Sequence, residues 1–317
     1  MKRPLIFLSF IFCLLAIAPT FAESLSYKLK PVKVAEDTYI FQGSKEHFSL
    51  ENGGNIVNTG FIITKEGVIV IDTGPSARYG HEMRNAINEV TPLPINRVIV
   101  THHHPDHFLG NQAFSGAPIW ALPETIAAIR SEGDAMNENL YRLVGDWMLG
   151  TEVIVPGKSV NRSGEQIGEH RLRYIALQGH DIADLAILDE TTGVLFAGDQ
   201  VFMDRAPTTP HADIGKWLES LDQLEEIDFR LIVPGHGPVI GDNEAIRQTR
   251  EYLQWLVKVL EDAADQGLEM TEVMNLDLPN KFKSLATVEA EYRRSVHHLW
   301  PEIVKRKLPK AVDRRID

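Results

Sequence analysis

Apolar and polar positions divide the chain into short, mostly apolar runs joined by polar loops, followed by a longer stretch with helical spacing. Val32 to Phe41 predicts a strand. Asn55 to Thr64 and Val68 to Asp72 predict a hairpin turning at Lys65-Glu66-Gly67, because both runs are apolar and β-branched and the turn holds a glycine. Tyr79 to Val90 has the three- and four-residue spacing of an amphipathic helix. Arg97 to Thr101 is a short apolar strand that runs straight into His102. Strand, helix, strand and polar loop make a βαβ-like unit. It places His102 at the C-terminal edge of a strand, where open α/β sheets keep their chemistry.

Further on, Pro123 to Gly133 predicts a helix, and Asn137 to Leu149 a helix or loop carrying Trp147 and Met148, which either cover a cleft or join the core. Strands are expected at Glu152–Val155, Arg171–Leu177, Leu185–Asp189, Val194–Ala197 and Leu231–Val233. Polar loops separate them at Gln178-Gly179-His180-Asp181, Gly198-Asp199-Gln200 and Pro234-Gly235-His236-Gly237. Beyond Asn243 the spacing turns helical, through Tyr252 to Leu260 and again through Val288 to Val304. No Pro/Gly/Ser-rich linker interrupts this order. The expectation is one α/β catalytic domain over residues 23–242, with residues 243–317 as a helical extension packed on it.

The first 22 residues read differently. Lys2 and Arg3 precede an apolar run from Leu5 to Ala18, and Pro19-Thr20-Phe21-Ala22 leads into Glu23. A basic start, an apolar stretch too short to span comfortably and a small residue before a polar one predict a cleavable secretory signal over residues 1–22. A periplasmic protein with no stable membrane insertion is then expected. Cys13, the only cysteine, falls inside that leader, so the exported chain has no disulfide, no thiolate ligand and no thiol nucleophile. The formal charge of the 317-residue chain is −12, and loss of Lys2 and Arg3 makes it two units more negative. So acidic a surface repels phosphate backbones, which excludes nucleic acid as the expected substrate.

Four loops each present a candidate metal ligand directly after an apolar strand. The densest is His102-His103-His104-Pro105-Asp106-His107. In an extended segment residues two apart point the same way, so His102 and His104 can grip one ion while His103 points away. Pro105 ends the extended run, and Asp106 and His107 can face a second ion from the first turn of a following helix. His180, Asp199 and His236 follow three other strands. Any one of these reads equally well as a turn residue; the fourfold repetition makes the set a candidate metal centre. Nitrogen and oxygen donors without sulfur suit zinc, with iron or manganese as alternatives.

Taken in order, His102-x-His104-x-Asp106-His107, Gly179-His180, Ala197-Gly198-Asp199 and Pro234-Gly235-His236-Gly237 resemble the signature of the metallo-β-lactamase superfamily, over about Val32 to Asp242. The resemblance implies an α/β fold, the αββα four-layer sandwich, here with a helical C-terminal extension. It also implies two Zn2+ per chain: His102, His104 and His180 on the first, Asp106, His107 and His236 on the second, and Asp199 bridging both. Asp72 matches an Asp that orients a ligand histidine in that superfamily. His180-Asp181-Ile182-Ala183-Asp184 departs from the His-Thr-x-Gly-Asp of many members.

Phe196 to Phe202, Thr208-Thr209-Pro210-His211 and a tail with Glu291-Tyr292 and His297-His298 are similar to the quinoprotein relay system zinc metallohydrolases, relatives of sulfur-oxidation thiol hydrolases. That closer resemblance implies a functional link to a periplasmic quinoprotein dehydrogenase.

The expected chemistry is hydrolysis of a small acyl substrate (thioester, ester, lactone or lactam) by a water activated between two ions about 3.5–4 Å apart. Asp106 is the expected catalytic residue, orienting the water and passing a proton to the leaving group. Arg205 and His211, on the loop after Asp199, are candidates for the pocket wall, whereas His297 and His298 read as packing or surface residues. Two other classes compete: a mononuclear iron enzyme resembling persulfide dioxygenases, and a non-catalytic accessory protein of a quinoprotein dehydrogenase system.

Overall fold

The computed structural model describes residues 25–307, so the expected leader over residues 1–22 lies outside the described residues. Among the described residues, twelve strands form two sheets. The first seven are β1 (Val32–Ala35), β2 (Thr38–Phe41), β3 (Thr59–Thr64), β4 (Gly67–Ile71), β5 (Ile95–Ile99), β6 (Ile119–Ala121) and β7 (Lys158–Ser159), paired in chain order. The other five are β8 (Glu165–Ile167), β9 (His170–Leu177), β10 (Asp184–Asp189), β11 (Val194–Phe202) and β12 (Leu231–His236), paired in the order β12-β11-β10-β9-β8.

Alternation along the central strands explains the layering. On β3 and β4, Phe61, Val68 and Val70 face one core, while Ile62, Ile69 and Ile71 face another. The first core lies under α1 (Ala77–Val90) and α3 (Pro123–Val144). The second lies between the sheets and also takes Leu185, Ile187 and Phe196 from β10 and β11. The opposite faces of those strands, with Ala186, Leu188 and Leu195, pack under α4 (Ile214–Glu225), α5 (Glu244–Asp265) and α7 (Val288–Lys307). Helix, sheet, sheet, helix is the expected αββα sandwich. Strands buried on both faces read as unbroken apolar runs.

Local chemistry sets the elements. Helix α1 starts because the Ser76 side chain accepts from Tyr79 N, and it buries Tyr79, Met83, Ala86 and Ile87 on one stripe. Helix α4 was not expected, although its signal was present: Asp213 caps Lys216 N, and Ile214, Trp217, Leu221 and Leu224 recur at helical spacing. The C-terminal helices α5 and α7, with α6 (Met270–Val273) between them, bury Tyr252, Leu253, Leu256 and Leu260 against Tyr292, Val296 and Trp300.

Several expectations need correction. Val32 to Phe41 is two strands, because Asp37 adopts a left-handed φ of 54° and reverses the chain between Ala35 and Thr38. Residues 123–149 hold one continuous helix to Val144 where two segments were expected, and of the two readings of Trp147 and Met148 it is the core that holds. Glu152 to Val155 is not a strand; it crosses α3 so closely that a Cβ on Gly133 would lie 2.8 Å from Val153. That crossing is why a glycine is tolerated inside α3. Finally, β11 and β12 do not stop before the candidate ligands they carry. They run parallel through Asp199 and His236, with register shifts around Gly198 and Phe202.

Candidate metal centre

The loop after β5 is built on one carboxylate. Asp72 leaves β4 with a left-handed φ of 55° and accepts from Thr101 N and Thr101 Oγ1, both at 2.8 Å, and from His107 Nδ1 at 2.8 Å. Chain direction at the strand end and the orientation of His107 are thus set together. His102 Nδ1 lies 3.0 Å from Thr101 Oγ1, which turns Nε2 inward. His104, extended at ψ 144°, precedes Pro105, the first residue of the one-turn helix α2 (Pro105–Phe108) that presents Asp106 and His107.

Three further residues arrive from the second sheet. His180 follows β9 and is held through Nδ1 by Asp184 Oδ1 at 3.1 Å; Asp184 is itself held by Gln200 Nε2 at 2.7 Å. Asp199 lies in β11. His236 ends β12 with Nδ1 2.7 Å from the carbonyl of Ile56. Gly235 is required between them: a Cβ there would stand 1.9 Å from Asp199 Oδ1. Asn58 ties the two sheets at this point, donating to the carbonyls of Pro234 (2.9 Å) and Gly237 (2.7 Å).

All seven sequence-predicted residues come together. His102, His104, His180 and Asp199 form one group and Asp106, His107 and His236 another, with the donor atoms of each group within 4.8 Å of one another. Asp199 lies between the groups. Its carboxylate oxygens are 3.1 Å from His107 Nε2 and His236 Nε2, 3.6 Å from His180 Nε2 and 3.9 Å from His102 Nε2. Within the second group, Asp106 Oδ2 is 3.5 Å from His236 Nε2.

Five of these buried atoms have no hydrogen-bond partner: His102 Nε2, His107 Nε2, His180 Nε2, Asp106 Oδ2 and Asp199 Oδ1. An unpaired buried polar atom costs about 1–3 kcal/mol, so five converging on one point call for a common partner. Four nitrogen and oxygen donors in one group, three in the other and a shared carboxylate fit a pair of divalent cations.

The local field agrees. Burial, reinforced by neighbouring imidazoles, holds His102 and His104 well below the ordinary histidine range, so both are neutral lone-pair donors. For Asp199, burial works against ionisation but is outweighed by His236 and His107, which hold the carboxyl well below its usual range. Burial opposes charge on His107 too, yet Asp199, Asp72 and Asp106 hold it well above its usual range. So concentrated a negative field is what a cation pair would neutralise.

Other expected residues fall around this centre. His103 points away, with Nδ1 bonded to Asp181 and Nε2 3.6 Å from Glu132. The departure at Asp181 therefore has a local partner. Arg205 is only 3% exposed and sits 3.9 Å from Glu291 of α7. His211 is exposed but bonds His104, and His297 and His298 are exposed on α7. Of the groups that hold the histidines from behind, sequence reasoning named Asp72, which bonds His107, and missed the others. Among those missed, Asp184 carried a readable signal, four residues after His180; Ile56, Thr101 and Gln200 carried none.

The family model described as Metallo-beta-lactamase superfamily matches residues 52–236, more than half of the chain. The "Lactamase-like protein nscB" of Neosartorya fischeri is 26% identical over 64% of this chain and 56% of its own length. The chain thus spans a little over half of that relative. The "Beta-lactamase-like protein 2 homolog" of Caenorhabditis elegans is 24% identical over 71% of this chain and 70% of its own. Among solved structures, the "Metallo-beta-lactamase from Pontibacter korlensis" superposes with a TM-score of 0.60 at 22% identity, covering 72% of this chain and 99% of that one. At such identity the likeness speaks for the fold.

Proposed function

The chain belongs to the metallo-β-lactamase superfamily, and from that premise we propose that it is an exported two-zinc hydrolase of a small acyl compound, a thioester, ester, lactone or lactam. The observation that carries the reading is the convergence of unpaired, buried imidazole and carboxylate atoms in two adjoining groups. His102, His104 and His180 would hold one ion and Asp106, His107 and His236 the other, with Asp199 available to both. When bound, such a pair supplies an activated water at neutral pH and polarises the scissile carbonyl.

The chain's own residues do the rest. Asp72 and Asp184 keep His107 and His180 turned inward, so that the nitrogens facing the centre are not the ones that carry the protons. Asp199, between the two groups of donors, would offset the repulsion of two dications. Asp106, with Oδ2 facing the centre, orients the attacking water, takes its proton and returns it to the leaving group. Six of the seven residues are buried, which keeps bulk water from them, and His104 is partly exposed.

Within the superfamily the resemblance of Phe196 to Phe202, Thr208 to His211 and the helical tail favours the quinoprotein relay branch, and with it a periplasmic location and a functional partner in a quinoprotein dehydrogenase. Elemental analysis should find close to two zinc ions per chain, and His107→Ala or His236→Ala should lose the second before the first. Steady-state assays on a thioester, a lactone, a cephalosporin and a phosphodiester then test the substrate class. Turnover of at least one acyl compound, abolished by chelation, is expected. One iron and no zinc, or cleavage of the phosphodiester alone, would overturn the proposal.

A further inference from the structure

Each of the five histidines facing the centre has its other ring nitrogen held from behind. Four are held through Nδ1 by oxygen: His102 by Thr101 Oγ1, His107 by Asp72, His180 by Asp184 and His236 by the Ile56 carbonyl. His104 is the exception. Its Nε2 lies 2.9 Å from Nδ1 of another imidazole, His211, and it alone among the five is not fully buried.

From this contact we infer that His211 is a positioning residue for the first ion. It accepts the Nε2 proton of His104, which fixes the tautomer whose Nδ1 carries the free lone pair and turns that nitrogen toward the ion. The inference rests on the reading of His104 as a ligand. An exposed side chain could touch a histidine incidentally, but His211 is held on several sides. Its ring stacks on His103 with centroids 5.6 Å apart and planes 26° apart, and His103 is itself fixed by Asp181.

The loop carrying His211 is tied at three points. Ala206 N donates to the Ala286 carbonyl at 3.1 Å, Thr209 Oγ1 bonds Ser295 Oγ of α7 at 2.8 Å, and Asp213 N donates to the Gly179 carbonyl at 2.8 Å. The last tie joins the loop to the residue before His180, the third member of the same ligand set. The first two come from the C-terminal extension. Through His211, therefore, residues beyond position 280 reach the first ion.

A misplaced or wrongly protonated ligand weakens a metal site by about 10–100-fold when its outer partner is removed. The test is competition of zinc against a chromophoric chelator, in the wild-type chain and in a His236→Ala background that isolates the first ion. His211→Ala should weaken the first site by about ten-fold or more, leave the second unchanged, and shift the visible bands of the cobalt-loaded first site. His211→Asn, whose Oδ1 stands in for Nδ1 as acceptor, should restore most of the affinity. The melting temperature of the metal-free protein should change little and by similar amounts in His211→Ala and His211→Asn, which both lose the ring stacked on His103, so a difference in zinc affinity between them reports the acceptor. Equal affinity in His211→Ala and wild type would overturn the inference, as would an Asn variant no better than Ala. Failure of the wild-type chain itself to take up two ions would overturn the two-ion reading first.

Discussion

The two halves of the sandwich deliver their share of the centre in opposite ways. The seven-stranded half supplies His102, His104, Asp106 and His107 from one continuous segment, the loop after β5 and the one-turn helix α2, whereas the five-stranded half supplies His180, Asp199 and His236 from three separate places, after β9, within β11 and at the end of β12. In the first half, spacing is set by local backbone: an extended pair, a proline, one helical turn. In the second, it is set by how β9 to β12 register against one another. Ligands in one loop therefore stand or fall on side-chain chemistry, and ligands on separate strands on backbone fit.

The sharpest way to probe the first half is to change chemistry without shape. Asp106→Asn keeps one oxygen donor but removes the charge and the proton acceptor. Turnover should fall on the order of 10²–10⁴ while zinc content is retained. Unchanged turnover at normal zinc content would assign the chemistry to the ions alone.

In the second half the corresponding lever is backbone fit. Gly235→Ala would set a Cβ 1.9 Å from Asp199 Oδ1 and 2.8 Å from the Gly198 carbonyl carbon, so β11 and β12 must part. A displacement of that kind costs about 10²-fold in rate. Uptake of zinc together with hydrolysis should report it. Wild-type values for both would mean that the parallel register tolerates a side chain here.

A milder comparison pits the two orienting carboxylates against each other. Asp72→Asn and Asp184→Asn should each weaken zinc binding by about 10–100-fold, the first at the His107 site and the second at the His180 site. Chelator competition distinguishes the two. If both variants lost the same ion, the division of ligands between the ions would be wrong.

The smallest effect is expected far from the centre, where a similar pair does different work. His170 and Asp189, at the other end of β9 and β10, share a 2.8 Å bond, and Thr192 Oγ1 also donates to Asp189. The bond to Asp189 raises the pKa of His170 against the effect of burial, with Asp37 and Glu169 adding to the rise. For Asp189, burial is outweighed by His170 and Thr192, and the carboxyl is lowered.

The carboxylate's contribution is present above its unfolded value of about 3.9 and lost as pH falls through the lower folded one. The imidazole's is present below about 6.5 and lost as pH rises through the raised folded one. Asp189→Asn should therefore cost about 1–3 kcal/mol, most between about pH 4 and 6.5, with zinc uptake unchanged. Denaturant melts across that range are the measurement, and a cost independent of pH would argue against the ion pair.

The sequence by itself determined the candidate ligand types and most of the order of strands and helices that carries them, because each depends on spacing along a few residues, whereas the four-layer arrangement came from the family resemblance. His102 and His104 are two apart in an extended segment, and the wholly apolar run before them already reads as a buried strand. Tertiary structure decided what no short window holds. The turn at Asp37 split an apparently single strand, and the crossing of Val153 over Gly133 took a predicted strand out of the sheet. Asp199 and His236 meet only because β11 and β12 pair in parallel through a shifted register. The groups that aim each histidine lie up to 180 residues away, as Ile56 does from His236. Local dihedral preferences choose an element, but the direction in which a side chain is held depends on whichever distant atom packing brings behind it.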